Sequence, residues 1–286
     1  MRTYVPDSEV VFREANGLRL ACLESGPADG PLVLMFHGFP DTARTWDLVR
    51  PALAARGFRV VCLYQRGYAP SEIPADGRYD ARVLGEDALA LMDACGAEQA
   101  VLIGHDWGTQ NVYSAGAMAP ERVRHAVTVA IPYPTTIRPT LGKVWGVRHF
   151  LTLRMPGAAR RFARDDFAAV DDLYRRWSPG FEWPESEYAS VKNSFSSPGS
   201  LHAALGFYRA LTVRPPEFLF GRQQYGATVI GGLTDGVATA EDFERSKKAW
   251  EPGRCAVHLL PGGHFLHREH PEAFEALLVE VLAPFA

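Results

Sequence analysis

Three side chains in this 286-residue chain have the types and the order of a nucleophile–acid–base set. Asp106 sits in Val101-Leu102-Ile103-Gly104-His105-Asp106-Trp107-Gly108, with a glycine two residues to either side. An apolar run, Ala100 to Ile103, stops at the first glycine, and a helix-compatible segment, Thr109 to Met118, follows the second. That spacing suits a sharp strand-to-helix elbow, which lifts one side chain clear of a parallel sheet. Such elbows usually carry serine. With aspartate there instead, a carboxylate oxygen would attack a carbon electrophile and leave an ester on the protein. A lone G-x-D-x-G is also the pattern of a turn with a helix-capping Asp, so the motif is read with its company.

Hydrolysis of such an ester needs a base to activate water. Among nine histidines, His264 stands in Pro261-Gly262-Gly263-His264-Phe265, directly after the apolar run Ala256 to Leu260. Two glycines allow that loop to return an imidazole over a sheet. The second ring nitrogen then needs an orienting carboxylate. The run after the elbow ends Val129-Ala130-Ile131-Pro132-Tyr133 and offers none. Gly231-Gly232-Leu233-Thr234-Asp235-Gly236 offers Asp235 alone, although a plain turn would also accommodate an aspartate before glycine.

The elements that must position these groups follow from periodicity. Glu9–Phe12 and Leu18–Glu24 alternate as two antiparallel strands joined through Asn16-Gly17. Pro31–Phe36 and Phe58–Leu63 are buried strands, ending in His37-Gly38-Phe39-Pro40 and Gln65-Arg66-Gly67-Tyr68. Helices are expected over 42–56 and 79–95, the first with Asp41 as its N-cap and the second stopped at Gly96. Val123–Ile131, Ala227–Ile230 and Ala256–Leu260 continue the strands, with a helix over 241–250 and a closing helix from Pro271. This rhythm predicts an α/β fold with a mostly parallel sheet covered on both faces, whose reactive groups lie at the carboxyl ends of the strands. It breaks after Pro132, where prolines, aromatics and arginines are frequent. Residues 133–222 are therefore expected to form a helical cap, and 1–132 with 223–286 the core domain.

Composition narrows the function classes. A net charge of −3 argues against a nucleic-acid surface, and no run of about twenty apolar residues offers a membrane span. Met1–Asp7 lacks the apolar stretch of a secretory signal. Cys22, Cys62, Cys95 and Cys255 form no C-x-x-C pair or metal spacing, so reduced thiols in a cytoplasmic protein are expected.

With His37-Gly38-Phe39-Pro40 and Gly104-His105-Asp106-Trp107-Gly108 together, the chain resembles the α/β-hydrolase fold over nearly its whole length. Within that fold it is similar to the epoxide hydrolases. The resemblance implies an oxyanion hole from the backbone N–H groups of Phe39 and Trp107, worth roughly 3–4 kcal/mol each. It also implies proton donors from the cap. Gly206-Phe207-Tyr208-Arg209-Ala210 resembles the segment carrying one cap tyrosine, hence Tyr208; the position of the other falls on His149, a departure from the usual tyrosine pair. Substrate contacts are then expected from His37, Trp145, Phe150 and Phe207, and Tyr133, Tyr174 and Tyr188 are left to packing or the surface. The implied substrate is a small apolar epoxide, the implied product a vicinal diol, and the protein a monomer or homodimer. Carboxylate, imidazole and phenol cover every proton movement, so no metal or organic cofactor is expected.

Haloalkane and haloacid dehalogenases share the Asp elbow. Phe39, where haloalkane dehalogenases typically have Asn, and Trp107, where fluoroacetate dehalogenases have Arg, both favour the epoxide. An esterase is disfavoured because acyl transfer to Asp gives a mixed anhydride. A non-catalytic binder on this fold would be expected to lack the acid or the histidine.

Overall fold

The computed structural model describes residues 10–138, 149–212 and 214–286. Eight strands form one sheet: β1 (Val10–Ala15), β2 (Leu18–Ser25), β3 (Leu32–Phe36), β4 (Arg59–Leu63), β5 (Ala100–His105), β6 (Val123–Val129), β7 (Ala227–Gly232) and β8 (Cys255–Leu260). Their order is β1-β2-β4-β3-β5-β6-β7-β8. β1–β2 and β2–β4 pair antiparallel, and every later pair is parallel. The continuous apolar runs of β3 and β5 are buried from end to end, as a strand covered on both faces requires.

Register decides where the loops meet. Phe36 pairs with Gly104, and His105 with Val129, so β3, β5 and β6 end side by side. Gly232 likewise pairs with Leu260, which sets the loops after β7 and β8 next to each other. The turn holding Phe39, the elbow, the Asp235 turn and the His264 loop thus share one edge of the sheet.

Between β3 and β4 lie a short 3-10 turn, Ala43–Trp46, and α1 (Arg50–Ala54), not one helix over 42–56. Pro51 is the reason: a helix running through it would lose a hydrogen bond and set the ring against the carbonyl of Asp47. Proline instead opens α1. Thr42 is the N-cap of the 3-10 turn, accepting from the Arg44 amide, so Asp41 does not have the capping role expected of it. α2 (Ala81–Ala94) is capped by Asp80 and ends before Gly96, at φ 72°. α3 (Gly108–Met118) follows the elbow, with α2 and α3 covering one face of the sheet and sharing its core.

Between β6 and β7 the described chain is helical: α4 (His149–Arg154), α5 (Ala158–Phe162), α6 (Arg164–Trp177), α7 (Ala189–Ser196) and α8 (Ser200–Ala210). Left-handed backbone at Asp165, Asp166 and Phe167 breaks the first turn of α6. These helices bury their own aromatic cluster, which also takes in Phe39 and Tyr68 from the loops after β3 and β4. The region expected as a single helix over 241–250 is α9 (Ala240–Ser246) plus a 3-10 turn, Lys247–Ala249. α10 (Leu266–Glu269) and α11 (Pro271–Leu282) close the second face, where Phe274, Leu278 and Leu282 are buried.

Gly108 shows how tightly strand and helix meet: a Cβ there would lie 2.1 Å from the Phe36 carbonyl oxygen. Gly108→Ala is expected to destabilise the fold by about 2–3 kcal/mol through overpacking. A urea midpoint lowered at unchanged m-value checks this; a loss under about 0.5 kcal/mol, ordinary for a surface site, would contradict it.

Candidate active site

Asp106 stands at φ 50°, a left-handed conformation rare for a residue with a side chain. The elbow over-determines it. Its amide donates to Val129 O at 3.2 Å, and its carbonyl accepts from Thr109 N at 3.0 Å and Thr109 Oγ1 at 2.7 Å. The carboxylate turns toward the Phe39 turn, whose backbone N–H donates to Asp106 Oδ1 at 2.7 Å. Gly38 makes that approach possible, since a Cβ on it would fall 2.3 Å from Asp106 Cβ.

The other carboxylate oxygen faces His264. His264 Nε2 lies 3.3 Å from Asp106 Oδ2, and His264 Nδ1 lies 3.1 and 3.3 Å from the two oxygens of Asp235. Asp235 also serves its own turn, accepting from Val237 N at 2.7 Å, so turn residue and imidazole partner are one and the same. All three side chains are buried or nearly so. Burial alone would keep His264 neutral, but the charge of Asp235 and the bond to Asp106 outweigh it and push the imidazole up to about 10. Burial likewise opposes ionisation of Asp106, yet His264 and the Phe39 N–H hold the carboxyl below its usual range. The resting arrangement is therefore an imidazolium between two carboxylates.

Tyr208, on α8, is buried against this group, its ring centroid 5.1 Å from Phe39 and 5.2 Å from Trp107. Burial and the charge of Asp106 push the phenol well above its ordinary value, while a hydrogen bond from the Trp107 side chain opposes them. His149 is buried at the start of α4, 4.8 Å from Trp177 and 5.9 Å from Tyr208 between ring centroids. Phe150 and Phe207 are in the same aromatic group, 5.4 Å from Tyr208 and 5.8 Å from Trp107 respectively. The Trp107 amide lies at the amino end of α3, beyond the reach of intrahelical acceptors. Trp145 lies outside the described residues.

His37 is not free to hold substrate. Its Nε2 accepts from Gln65 N at 3.1 Å, which fixes the tautomer so that Nδ1–H donates to Gly38 O at 2.8 Å. Burial holds it neutral, at about 4. Its work is to fix the turn that presents Phe39. The ring nitrogens of a histidine carry no sequence signal of their partners, so the motif alone could not separate these roles. Tyr133 and Tyr174 are buried and donate to the carbonyls of Leu219 and Pro40, and Tyr188 donates to Asp171.

Other supports have no signal in the sequence. Ser178 Oγ donates to Glu269 Oε1 at 2.5 Å and accepts from Phe265 N, while Glu269 Oε2 accepts from Gly263 N at 2.9 Å. The amides of His264 and Gly236 both donate to Trp177 O at 3.0 Å. The loops of His264 and Asp235 are thus bound to the carboxyl end of α6. Asp41, His105 and His267 bring ligand-type atoms within 4.8 Å of one another, with His105 beside His264. The positive charge at that cluster is a guanidinium, with Arg268 Nη1 3.3 Å from Asp41 Oδ2.

Residues 31–271 match the model of the α/β hydrolase fold family. The chain belongs to that family. Relatives of this α/β hydrolase include an epoxide hydrolase of Caballeronia sordidicola, 28% identical over 93% of this chain and 91% of its own. Epoxide hydrolase A of Mycobacterium tuberculosis is 40% identical over 42% of this chain and 37% of its own. A solved structure described among novel epoxide hydrolases from hot-environment metagenomes has the same fold, with a TM-score of 0.83 at 22% identity over 96% of this chain and 99% of that one.

The two-carboxylate environment makes a pH prediction. His264 titrates higher folded than unfolded, so its contribution to stability is complete below about pH 6.5 and fades as pH rises through about 10. Asp106 is lowered, so its contribution is present above about pH 3.9 and fades in acid. Asp106→Asn removes one carboxylate and should lower the His264 midpoint by about 1–3 units, read from ring resonances in an NMR titration. An unmoved midpoint would mean that Asp106 does not hold the proton there.

Proposed function

We propose that this hydrolase opens epoxides to vicinal diols through an ester on Asp106. The observation that carries the reading is the division of labour at one carboxylate: Oδ1 is held by the Phe39 N–H, while Oδ2 faces the imidazole. A carboxylate held at one oxygen presents the other as nucleophile. Attack by Oδ2 on a ring carbon forms the C–O ester bond as the epoxide C–O bond breaks. The developing alkoxide takes the phenolic proton of Tyr208, with His149 as a second donor. Ester formation removes the charge of Asp106, one of two carboxylates that keep His264 protonated. The imidazolium then gives up its proton, relayed by water to the Tyr208 phenolate, and becomes a neutral base. Water gives a proton to His264 as its oxygen bonds to the Asp106 carboxyl carbon, and the negative charge collects on Oδ1. The Phe39 N–H, with that of Trp107, faces that charge. The bond from that carbon to Oδ2 then breaks. Oδ2 leaves on the diol and takes the proton of the newly added hydroxyl, which restores the Asp106 carboxylate and the His264 imidazolium.

Helices α4–α8 act in this reading as a cap that supplies Tyr208 and His149 and surrounds the substrate with aromatic rings. That lining suits a small apolar epoxide. The relatives' names point to the same chemistry. No described helix is long and apolar enough to cross a membrane. Four free thiols suit a reducing, cytoplasmic setting, and the protein would work as a monomer or homodimer.

The test is a trapped intermediate. His264→Gln, incubated with styrene oxide, should accumulate a mass increase of one substrate on the peptide containing Asp106. No added mass with any of a panel of epoxides, while the wild type turns them over, would contradict the ester. Tyr208→Phe should slow styrene oxide opening by about 100-fold or more, the typical scale of a general acid. The wild type should release little bromide from 1-bromobutane; bromide release in place of diol formation would move the reading to a dehalogenase.

A further inference from the structure

Arg268 is the most completely engaged side chain near the site, and the reaction above makes no use of it. Its side chain is buried to 5% exposure. All five N–H groups are spent. Nε donates to Glu187 Oε2 at 3.0 Å, and Nη2 donates to Glu187 O at 2.9 Å and to Glu187 Oε2. Nη1 donates to Tyr174 Oη at 2.8 Å and to Asp41 Oδ2 at 3.3 Å. The guanidinium carbon lies 5.2, 5.1 and 6.0 Å from the ring centroids of Tyr174, Trp183 and Phe265, which adds cation–π attraction. With no donor left over, Arg268 has nothing to offer a substrate.

What it joins is informative. Arg268 lies on α10, four residues beyond His264. Asp41 belongs to the turn after β3, two residues beyond Phe39. Tyr174 and Glu187 come from the helical segment between β6 and β7. The hydroxyl of Tyr174, having accepted from Arg268, donates to Pro40 O at 2.9 Å. Two tethers therefore start from one nitrogen, Nη1, and end on Pro40 and Asp41. On the other side of Phe39, the His37 ring holds the carbonyl of Gly38. The Phe39 amide is thus bracketed, by His37 before it and by Arg268 through Tyr174 and Asp41 after it.

We infer that Arg268 is a positioning residue: one guanidinium fixes the Phe39 N–H on Asp106 and docks the helical segment onto the same turn. The catalytic consequence rests on the function proposed above; the geometric one does not. Lysine cannot replace it, since a point ammonium has three donors and no fork. Loosening the bracket would misplace a donor that matters most when charge develops on Asp106 Oδ1, so kcat should suffer more than KM.

The experiment reads both consequences on the full-length protein. In Arg268→Met, hydrogen exchange of the Phe39 amide should quicken at least about tenfold, and kcat for styrene oxide should fall about 10–100-fold with KM changed less than about threefold. Arg268→Lys should resemble Arg268→Met. Tyr174→Phe removes the bond from Arg268 Nη1 and the one to Pro40 O while keeping the links to Asp41 and Glu187. It should quicken Phe39 exchange with a smaller fall in kcat, and it keeps the test open if Arg268→Met fails to fold. Phe39 exchange unchanged in the folded variants, or a lower Tm with kcat per folded molecule intact, would reduce Arg268 to packing and overturn the inference. Faster Phe39 exchange in a protein whose wild type hydrolyses no epoxide would leave the positioning role standing and remove the proposed reaction.

Discussion

One buried proton organises this molecule. It sits on His264 between Asp106 and Asp235, and each carboxylate is tolerable inside the fold because the imidazolium faces it. Removing His264 would leave two buried carboxylates with no cation between them, which is far costlier than removing an exposed pair. The sheet register serves this arrangement by ending β3, β5, β7 and β8 along one edge. The glycines serve it by letting a strand, a helix and a turn approach within backbone contact.

The same proton links stability to chemistry. A base that is protonated at rest is useless until something lowers its affinity. In the proposed cycle that event is esterification, which neutralises one of its two partners. The nucleophile thus releases the base in the act of being consumed, and the order of steps follows from charge alone. Asp235, tied by Val237 N, keeps the ring aligned throughout. His105 and His267 beside it are kept neutral by burial, so they do not compete for the proton.

Much of this was legible in the sequence because it is local. The glycine spacing around Asp106, the Gly-Gly before His264 and the sole acid after β7 are patterns within a few residues. The parallel sheet followed from alternating apolar runs. What was not legible is what depends on distant partners. Arg268 meets Asp41 from 227 positions away, and Ser178 meets Glu269 from 91. His37 is a support and not a substrate contact because of Gln65, on a different strand end. Asp41 is an ion-pair partner and not a cap for the same kind of reason. The break between the 3-10 turn and α1 did have a signal, Pro51, which outweighs the apolar spacing around it.

Between the Asp106 elbow and the phenol of Tyr208 lies the one bond on which everything proposed here turns, an ester from carboxylate oxygen to substrate carbon. It is tested most directly by a single turnover in ¹⁸O water, with enzyme in excess over styrene oxide, followed by mass analysis of the Asp106 peptide and of the diol. One heavy oxygen in the Asp106 carboxylate and none in the first diol released is the result expected of attack by Oδ2. Heavy oxygen in that first diol, with Asp106 unlabelled, would mean that water attacks the epoxide directly and that Asp106 is not the nucleophile.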